Sequence, residues 1–186
     1  MKLISRLLFL LAPLSVAHGD NWQMDAAAST LTITAQVYDA PFVAVFEGFD
    51  AEIIFDPDEL TKAKVVAEIR PATFAATNPD DALFASEAQG VDWFNSANFP
   101  EIIFQSEAFT SVEEGAYLVS GDLMIKGQRF PLSFPFALEI NDGQAQMRAY
   151  FNLNRLDLGL GGLTHPLTNT VGGVVEVSLT IFADKI

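Results

Sequence analysis

Side chains able to carry out acid–base or nucleophilic chemistry are sparse in this sequence. It contains no cysteine and two histidines, His18 near the N-terminus and His165 in the segment GGLTHPLTN. Nucleophilic catalysis needs a Ser, Thr or Cys held against a base, and no GxSxG motif is present to provide that arrangement. A histidine beside a proline in a loop is more often structural than catalytic. We therefore expect no enzymatic activity.

Two further segments resemble ligand-binding loops only superficially. DPDEL at 56–60 has the acidic residues of a calcium loop, but Thr61 stands where that loop needs Gly. GLGG at 159–162 follows a predicted strand, as a dinucleotide-binding loop would, but no helix follows it. We interpret both segments as turns or loops and expect no metal ion.

Phenylalanine is the more informative residue type, with 16 copies in the chain. In RFPLSFPFALEI at 129–140, every second residue is apolar, so Phe130, Phe134 and Phe136 share one face of a strand. The opposite face can meet water. Alternation reports the face but not the space in front of it. The aromatic face therefore packs either against a filled core or against an apolar ligand.

The same alternation predicts seven more strands. They lie within 31–37, 49–55, 65–69, 102–108, 117–125, 145–153 and 175–181. Short turn segments such as KGQ at 126–128 and NDG at 141–143 indicate antiparallel hairpins. Eight such strands can close into an up-and-down barrel or split into a sandwich, and we favour the barrel because it leaves no exposed edge. The predicted fold class is all-β.

Two local features interrupt this pattern. Asn78 and Pro79 can begin a helix that Gly90 ends, so one or two short helices are expected to cap the mouth of the barrel. Pro131 and Pro135 have the same parity, so both missing N–H groups face the same neighbouring strand. We expect a weak seam in the barrel beside residues 129–136.

The N-terminus predicts export. Lys2 and Arg6 precede a short apolar run and small residues, which is typical of a secretory signal peptide over residues 1–17. Residues 18–186 then form a single barrel domain, with the periplasm as the expected location. The formal net charge is −14, and two of the ten basic residues lie in the leader. Nucleic acid is therefore excluded as a partner by charge repulsion.

Four segments together resemble the YceI-like family of periplasmic, polyisoprenoid-binding, lipocalin-like proteins. They are FEGFDAEIIFDPDEL at 46–60, VDWFNSANFPEIIFQS at 91–106, VSGDLMIKGQRFPLSFPF at 119–136 and FNLNRLDLGLG at 151–161. Their order and spacing match along nearly the whole length after the leader. The form DWFNSANFP is similar to the branch of the family often found near membrane b-type cytochromes.

The resemblance implies an eight-stranded antiparallel barrel with a helical cap and a long apolar interior. That interior would hold an isoprenoid quinone or polyprenyl lipid without a covalent bond, and the protein would be a non-catalytic carrier, often a homodimer. A membrane b-type cytochrome would be a partner. The alternative is a protein-interaction or structural module with a filled core and no ligand.

Several residues are then candidates for ligand contact. The predicted wall consists of Phe46, Phe49, Phe74, Phe104, Phe134, Phe136 and Phe151, with Trp93 and Phe94 at the mouth. Arg155 and Asp157 are either head-group contacts or a structural ion pair, and Leu158 stands where the family motif has Phe. His165 is a candidate donor to a quinone carbonyl if its loop folds over the mouth.

Overall fold

The structure, a computed structural model, describes residues 20–165 and 170–186. The predicted leader at 1–17 lies outside the described residues. The strands are β1 (Asn21–Met24), β2 (Thr30–Val37), β3 (Ala40–Phe46), β4 (Phe49–Ile54), β5 (Lys64–Ile69), β6 (Phe74–Ala76), β7 (Ile102–Glu113), β8 (Ala116–Ile125), β9 (Gln128–Asn141), β10 (Gln144–Asn154) and β11 (Val171–Lys185). The described part also contains the helix α1 (Ala82–Glu87) and 3-10 turns at Leu60–Lys62, Pro71–Thr73 and Pro79–Asp81.

These strands form one closed antiparallel barrel. The ring runs β1–β4–β5–β7–β8–β9–β10–β11 and closes where β1 pairs with β11. At one end, β2, β3 and β6 extend the wall, with β2 continuing along β11 and β3 lying beside β2. The first three passes of the chain along the wall are each interrupted and consist of two strands: β1 with β2, β3 with β4, and β5 with β6. The eleven strands therefore make eight passes. The predicted eight-stranded barrel is confirmed.

The strand β3 escaped the sequence prediction. Phe42, Ala44 and Phe46 are buried on its inner face, but Val43 and Val45 are apolar as well, which hides the alternation. Its partner in the same pass is β4, which was predicted. The number of passes was therefore correct although the extent of the second pass was not.

Two tight hairpins determine which neighbour each backbone group faces. Lys126 and Gly127 have φ values of 51° and 72°, and Asp142 and Gly143 have values of 50° and 79°. Two consecutive residues with positive φ are the signature of a type I′ turn, in which the flanking residues form a hydrogen-bonded pair. The parity of all hydrogen bonds along β8, β9 and β10 follows from these turns.

The predicted seam is present between β9 and β10. In the β8–β9 ladder, Pro131 is paired with Asp122 and Pro135 is paired with Leu118. Both are non-hydrogen-bonded pairs, so the backbone N–H and C=O positions of the two prolines point toward β10 instead of β8. The β9–β10 ladder extends from Asn141 to Phe136 and stops there. Residues 128–135 of β9 therefore leave the edge of β10 unpaired.

The segment between β6 and β7 covers the end of the barrel to which β2, β3 and β6 extend. The side chain of Asn78 accepts a hydrogen bond from the Asp80 N–H at 3.2 Å, and the 3-10 turn at Pro79–Asp81 leads into α1. One short α-helix is present where one or two were predicted. It packs on β6 and contributes Ala85 to the core, and Ala88, directly after its end, is buried as well.

Candidate functional site

The barrel encloses a cavity of about 410 Å³. Every pass of the chain contributes to its wall, and almost all of the lining side chains are apolar. The charged side chains and the histidine among them are Glu87, Arg155 and His165. All three belong to the covered end, which we call the mouth: it consists of α1, the segment 91–94 and the loop 155–165.

Aromatic side chains fill the end opposite the mouth. The ring of Phe55 meets the rings of Phe109 and Tyr117 edge to face, with centroids 5.4 and 5.3 Å apart. Tyr117 stacks on Phe136 at 5.3 Å, and burial raises the pKa of the Tyr117 hydroxyl. The indole N–H of Trp22 donates to the Phe55 carbonyl at 2.8 Å. Among the described residues, the charged side chains and the histidine that line the cavity therefore lie at the mouth, where a polar group of a ligand would meet them.

An aromatic stack spans the seam at mid-height. The rings of Phe134 in β9 and Phe151 in β10 lie 4.4 Å apart and nearly parallel, at 14°. Phe104 packs on Phe134 at 5.4 Å. These side chains cover, from inside, the stretch where the backbones of β9 and β10 are unpaired.

A second aromatic group narrows the cavity below the mouth. Phe46, Phe74 and Phe94 pack mutually with centroids 4.9 to 5.6 Å apart. Phe84 of α1 meets Phe42 of β3 edge to face at 6.2 Å. The helix thus contributes an aromatic side chain to the same narrowing.

The structure brings most of the predicted site residues together on this cavity. Those that line it are Phe46, Phe49, Phe74, Trp93, Phe94, Phe104, Phe134, Phe136, Phe151, Arg155, Leu158 and His165. Asp157 is exposed and does not line it. That the lining residues contact a ligand stays a prediction.

Arg155 anchors the loop that follows β10. Its side chain is 1 % exposed, and its guanidinium donates to the carbonyls of Gly172, Leu160, His165 and Val171 at 2.6 to 2.9 Å. It also lies over the ring of Trp93, 5.4 Å from the centroid. Burial lowers the pKa of Arg155, opposed by the charge of Asp92. The suggested ion pair with Asp157 is not formed, because backbone carbonyls take its place.

Asp92 fastens the same loop to the segment after α1. Its carboxylate accepts the N–H of Leu163 at 3.0 Å, and the N–H and hydroxyl of Thr164 at 2.6 and 2.7 Å. Desolvation raises the pKa of Asp92, but the hydrogen bonds from Thr164 and Leu163 and the charge of Lys126 outweigh it, so the pKa lies below its ordinary 3.8. The Lys126 ammonium donates to the carbonyls of Asp92 and Gly159 at 3.3 and 3.0 Å.

Gly161 allows the loop to lie directly on Trp93. A Cβ atom at this position would stand 2.5 Å from the indole ring, and its φ of +68° is one that L side chains rarely adopt. The loop is therefore held close by shape as well as by hydrogen bonds.

His165 and Glu87 form a polar pair at the mouth. His165 Nε2 lies 3.1 Å from Glu87 Oε1, and the imidazole centroid is 6.0 Å from that of Trp93. The His165 side chain is 24 % exposed and that of Glu87 is 45 % exposed. The pair therefore faces both the cavity and the solvent.

Sequence reasoning missed Glu87, Asp92 and Lys126. Their partners are 33 to 78 residues away along the chain, so no local pattern marks them. Phe42 and Phe84, which also line the mouth, were missed as well. The continuous apolar run at 42–46 is a signal that could have found Phe42, because such a run indicates a buried strand.

Comparison with known proteins gives a consistent result. The model of the YceI-like domain family matches residues 22–183. The crystal structure of Burkholderia cenocepacia BcnA is similar with a TM-score of 0.79 at 23 % identity, over 86 % of this chain and 98 % of that chain. A Campylobacter jejuni YCEI protein is similar with a TM-score of 0.68 at 17 % identity, over 77 % and 84 % of the two chains.

A polyisoprenoid binding domain from Saccharophagus degradans, implicated in plant cell wall breakdown, is similar with a TM-score of 0.69 at 12 % identity, over 89 % of this chain and 98 % of that chain. No curated protein matches. Within residues 20–165 and 170–186, no helix has the length and apolarity needed to cross a membrane. The same residues contain no group of three or more His, Cys, Asp or Glu side chains that could hold a metal ion.

Proposed function

Because this chain belongs to the YceI-like domain family, we propose that it binds an isoprenoid lipid inside its barrel and carries out no catalysis. The cavity is the observation that supports this function. Its wall is almost wholly apolar along its length, and its polar side chains are confined to the mouth. An isoprenoid has the same distribution, a long apolar tail with one polar end.

Burial of the tail is sufficient for retention. Removing about 400 Å² of apolar surface from water contributes roughly 10 kcal/mol before the costs of ordering the tail are subtracted. No covalent or ionic contact is needed to hold such a ligand. The predicted wall of seven phenylalanines provides most of the aromatic contact surface in this proposal.

The finer parts of the proposal come from the resemblance of the sequence to the YceI-like family and from the predicted signal peptide at 1–17. They are a quinone or polyprenyl lipid as the cargo, the periplasm as the location, a homodimer as the assembly and a membrane b-type cytochrome as a partner. Light scattering of the mature protein tests the dimer. Fractionation of cells that express the full chain tests the location, and cross-linking in those membranes tests the cytochrome.

The test of binding is native mass spectrometry of the mature protein from a periplasmic extract, followed by organic extraction and identification of what is released. We expect one isoprenoid lipid per barrel. A protein of bare mass that also fails to take up added isoprenoid quinones would contradict the proposal and favour the interaction module.

A matched pair of variants locates the ligand. Ala67 lines the cavity at mid-wall, and Glu68, next to it on β5, is exposed on the outer face. Ala67→Trp places an indole inside the barrel and is expected to abolish lipid retention. Glu68→Trp adds the same group outside and is expected to leave retention unchanged. Equal retention by both variants would place the ligand elsewhere.

A further inference from the structure

Two described groups at the mouth have hydrogen-bonding capacity left for a head group: the His165 imidazole, paired with Glu87, and the indole N–H of Trp93, which is buried without a partner. A hydroxyl can accept from the indole and also donate to the imidazole, so the acceptor at His165 decides between head groups. An ionised carboxylate can only accept hydrogen bonds. The His165 Nε2 atom, 3.1 Å from Glu87 Oε1, must therefore carry the hydrogen that joins them. In a neutral imidazole the other nitrogen, Nδ1, is then an acceptor. Donation from His165 to a quinone carbonyl would need the Nε2 hydrogen, which His165 already donates to Glu87.

His165 Nδ1 has no partner among the described residues, and the side chain lines the cavity. A head group that reaches this nitrogen satisfies it only by donating a hydrogen. Hydroxyl groups of a quinol, a phenol or a prenol can do so. The carbonyl groups of an oxidised quinone cannot.

The charges at the mouth argue against an anionic head group. Arg155 is the one cationic side chain among the described residues that line the cavity, and four of its five N–H groups donate to backbone carbonyls. The nearby Lys126 ammonium is bonded to two carbonyls as well. The carboxylate of Glu87 faces the same space, so a phosphate there would be repelled by a like charge and would find few free N–H groups on Arg155 to bind it.

We infer that the His165–Glu87 pair is a head-group site that selects an uncharged, hydroxyl-bearing isoprenoid over its carbonyl, ether and phosphate counterparts. The inference rests on the proposed function, since the tail supplies the binding energy and the pair supplies the selection. Glu87 acts by fixing which imidazole nitrogen carries the hydrogen, and His165 makes the contact.

The test uses a long-chain prenol, its methyl ether and its monophosphate, which share one tail. Dissociation constants are measured with the delipidated mature protein at about pH 8.5, where an imidazole is neutral. One hydrogen bond lost to an acceptor that is partly shielded from water corresponds to about a tenfold difference in affinity. We expect the alcohol to bind about tenfold more tightly than the ether, and the phosphate to bind most weakly.

Variants assign the preference to the pair. His165→Phe keeps a ring at the mouth and is expected to make the alcohol and the ether bind equally. Glu87→Gln frees the imidazole to take either tautomer and is expected to reduce the preference. Glu107→Gln, on the outer face of β7, is the control and is expected to keep it.

The outcomes separate this inference from the proposed function. Equal binding of alcohol and ether by the unaltered protein would overturn the head-group site and leave lipid binding intact. A preference that persists in His165→Phe would also overturn it, since the selecting group would lie elsewhere. Failure of all three compounds to bind would overturn the proposed function together with the inference.

Discussion

The guanidinium of Arg155 is compensated by backbone carbonyls rather than by a carboxylate. A buried charge is costly unless its hydrogen-bonding groups are satisfied. Four carbonyls from both sides of the loop converge on it, and the face of Trp93 covers it. At the scale of the residue, Arg155 therefore holds the shape of the mouth.

Arg155→Met is expected to destabilise the fold by about 3 kcal/mol or more, because four buried carbonyls lose their donors. Urea unfolding followed by circular dichroism measures the loss. Arg129→Met is the matched control, since Arg129 is 68 % exposed and paired with Asp122 at the surface. Its expected cost is below about 0.5 kcal/mol. Similar costs for the two variants would show that the carbonyl contacts contribute little.

Asp92 is expected to stabilise the loop only while it is ionised. Its pKa is lower in the folded state than its ordinary 3.8, so its contribution is present above that value and is lost as the pH falls through the folded pKa. Asp92→Asn should therefore be less stable than the unaltered protein at neutral pH. The difference should shrink toward zero between about pH 5 and about pH 2.

Urea unfolding of the unaltered protein and of Asp92→Asn, measured side by side across that range, checks this prediction. Background effects of acid on other groups cancel in the difference between the two proteins. A difference that stays constant with pH would mean that the carboxylate charge plays no part in holding Leu163 and Thr164.

At the scale of the element, the seam divides β10 into a first part that is hydrogen-bonded to β9 and a second part that is not. The type I′ turn at 142–143 requires that the backbone N–H and C=O groups of Gln146 and Arg148 point toward β9. By the same parity, those of Tyr150 and Asn152 point toward β9 as well. The first two lie within the β9–β10 ladder and the last two lie beyond its end. The backbone groups of β10 that face β11 are paired along the whole strand.

Amide hydrogen exchange should therefore divide β10 sharply. The amides of Tyr150 and Asn152 are expected to exchange much faster than those of Phe151 and Leu153, which face β11. The amides of Gln146 and Arg148 face β9 inside the ladder and are internal controls, expected to be protected. Nuclear magnetic resonance of the labelled protein in D₂O measures each site. Uniform protection along β10 would mean that the seam is closed by backbone hydrogen bonds.

The elements also show what local pattern can and cannot predict. The wall phenylalanines were found because the alternation of a strand repeats every two residues within one segment. Pro131 and Pro135 located the seam for the same reason. The mouth depends on Asp92 meeting Thr164 and on Glu87 meeting His165, contacts across 72 and 78 residues that only the closed barrel creates. The partners of Arg155 could not be predicted because they are backbone atoms, which leave no trace in residue type.

At the scale of the whole molecule, folding and binding are linked through the cavity. The interior is enclosed only in the folded barrel, so a lipid that binds there stabilises the native state by mass action. At a free ligand concentration of about 100 times the dissociation constant, the gain is about 2.7 kcal/mol. For a domain of this size, that corresponds to a rise in Tm of roughly 5 to 10 °C.

Thermal unfolding of the delipidated protein with and without added isoprenoid measures this rise. Ala67→Trp, whose indole occupies the cavity, is expected to show no rise with the same lipid, whereas Glu68→Trp should behave as the unaltered protein. A lipid that binds without raising Tm would have to bind the unfolded chain equally well, which the enclosed site does not allow.

The two prolines of β9 have a consequence for encounters between copies of the protein. An unpaired strand edge can recruit a strand from another molecule and begin a growing β-assembly. The edge of β9 that faces the seam offers the carbonyls of Arg129, Pro131, Ser133 and Pro135 but only the N–H groups of Arg129 and Ser133. A second strand would find too few donors there to continue a ladder. The same residues that leave the wall of the barrel unpaired therefore make the β9 side of the seam a poor template for a strand of another molecule.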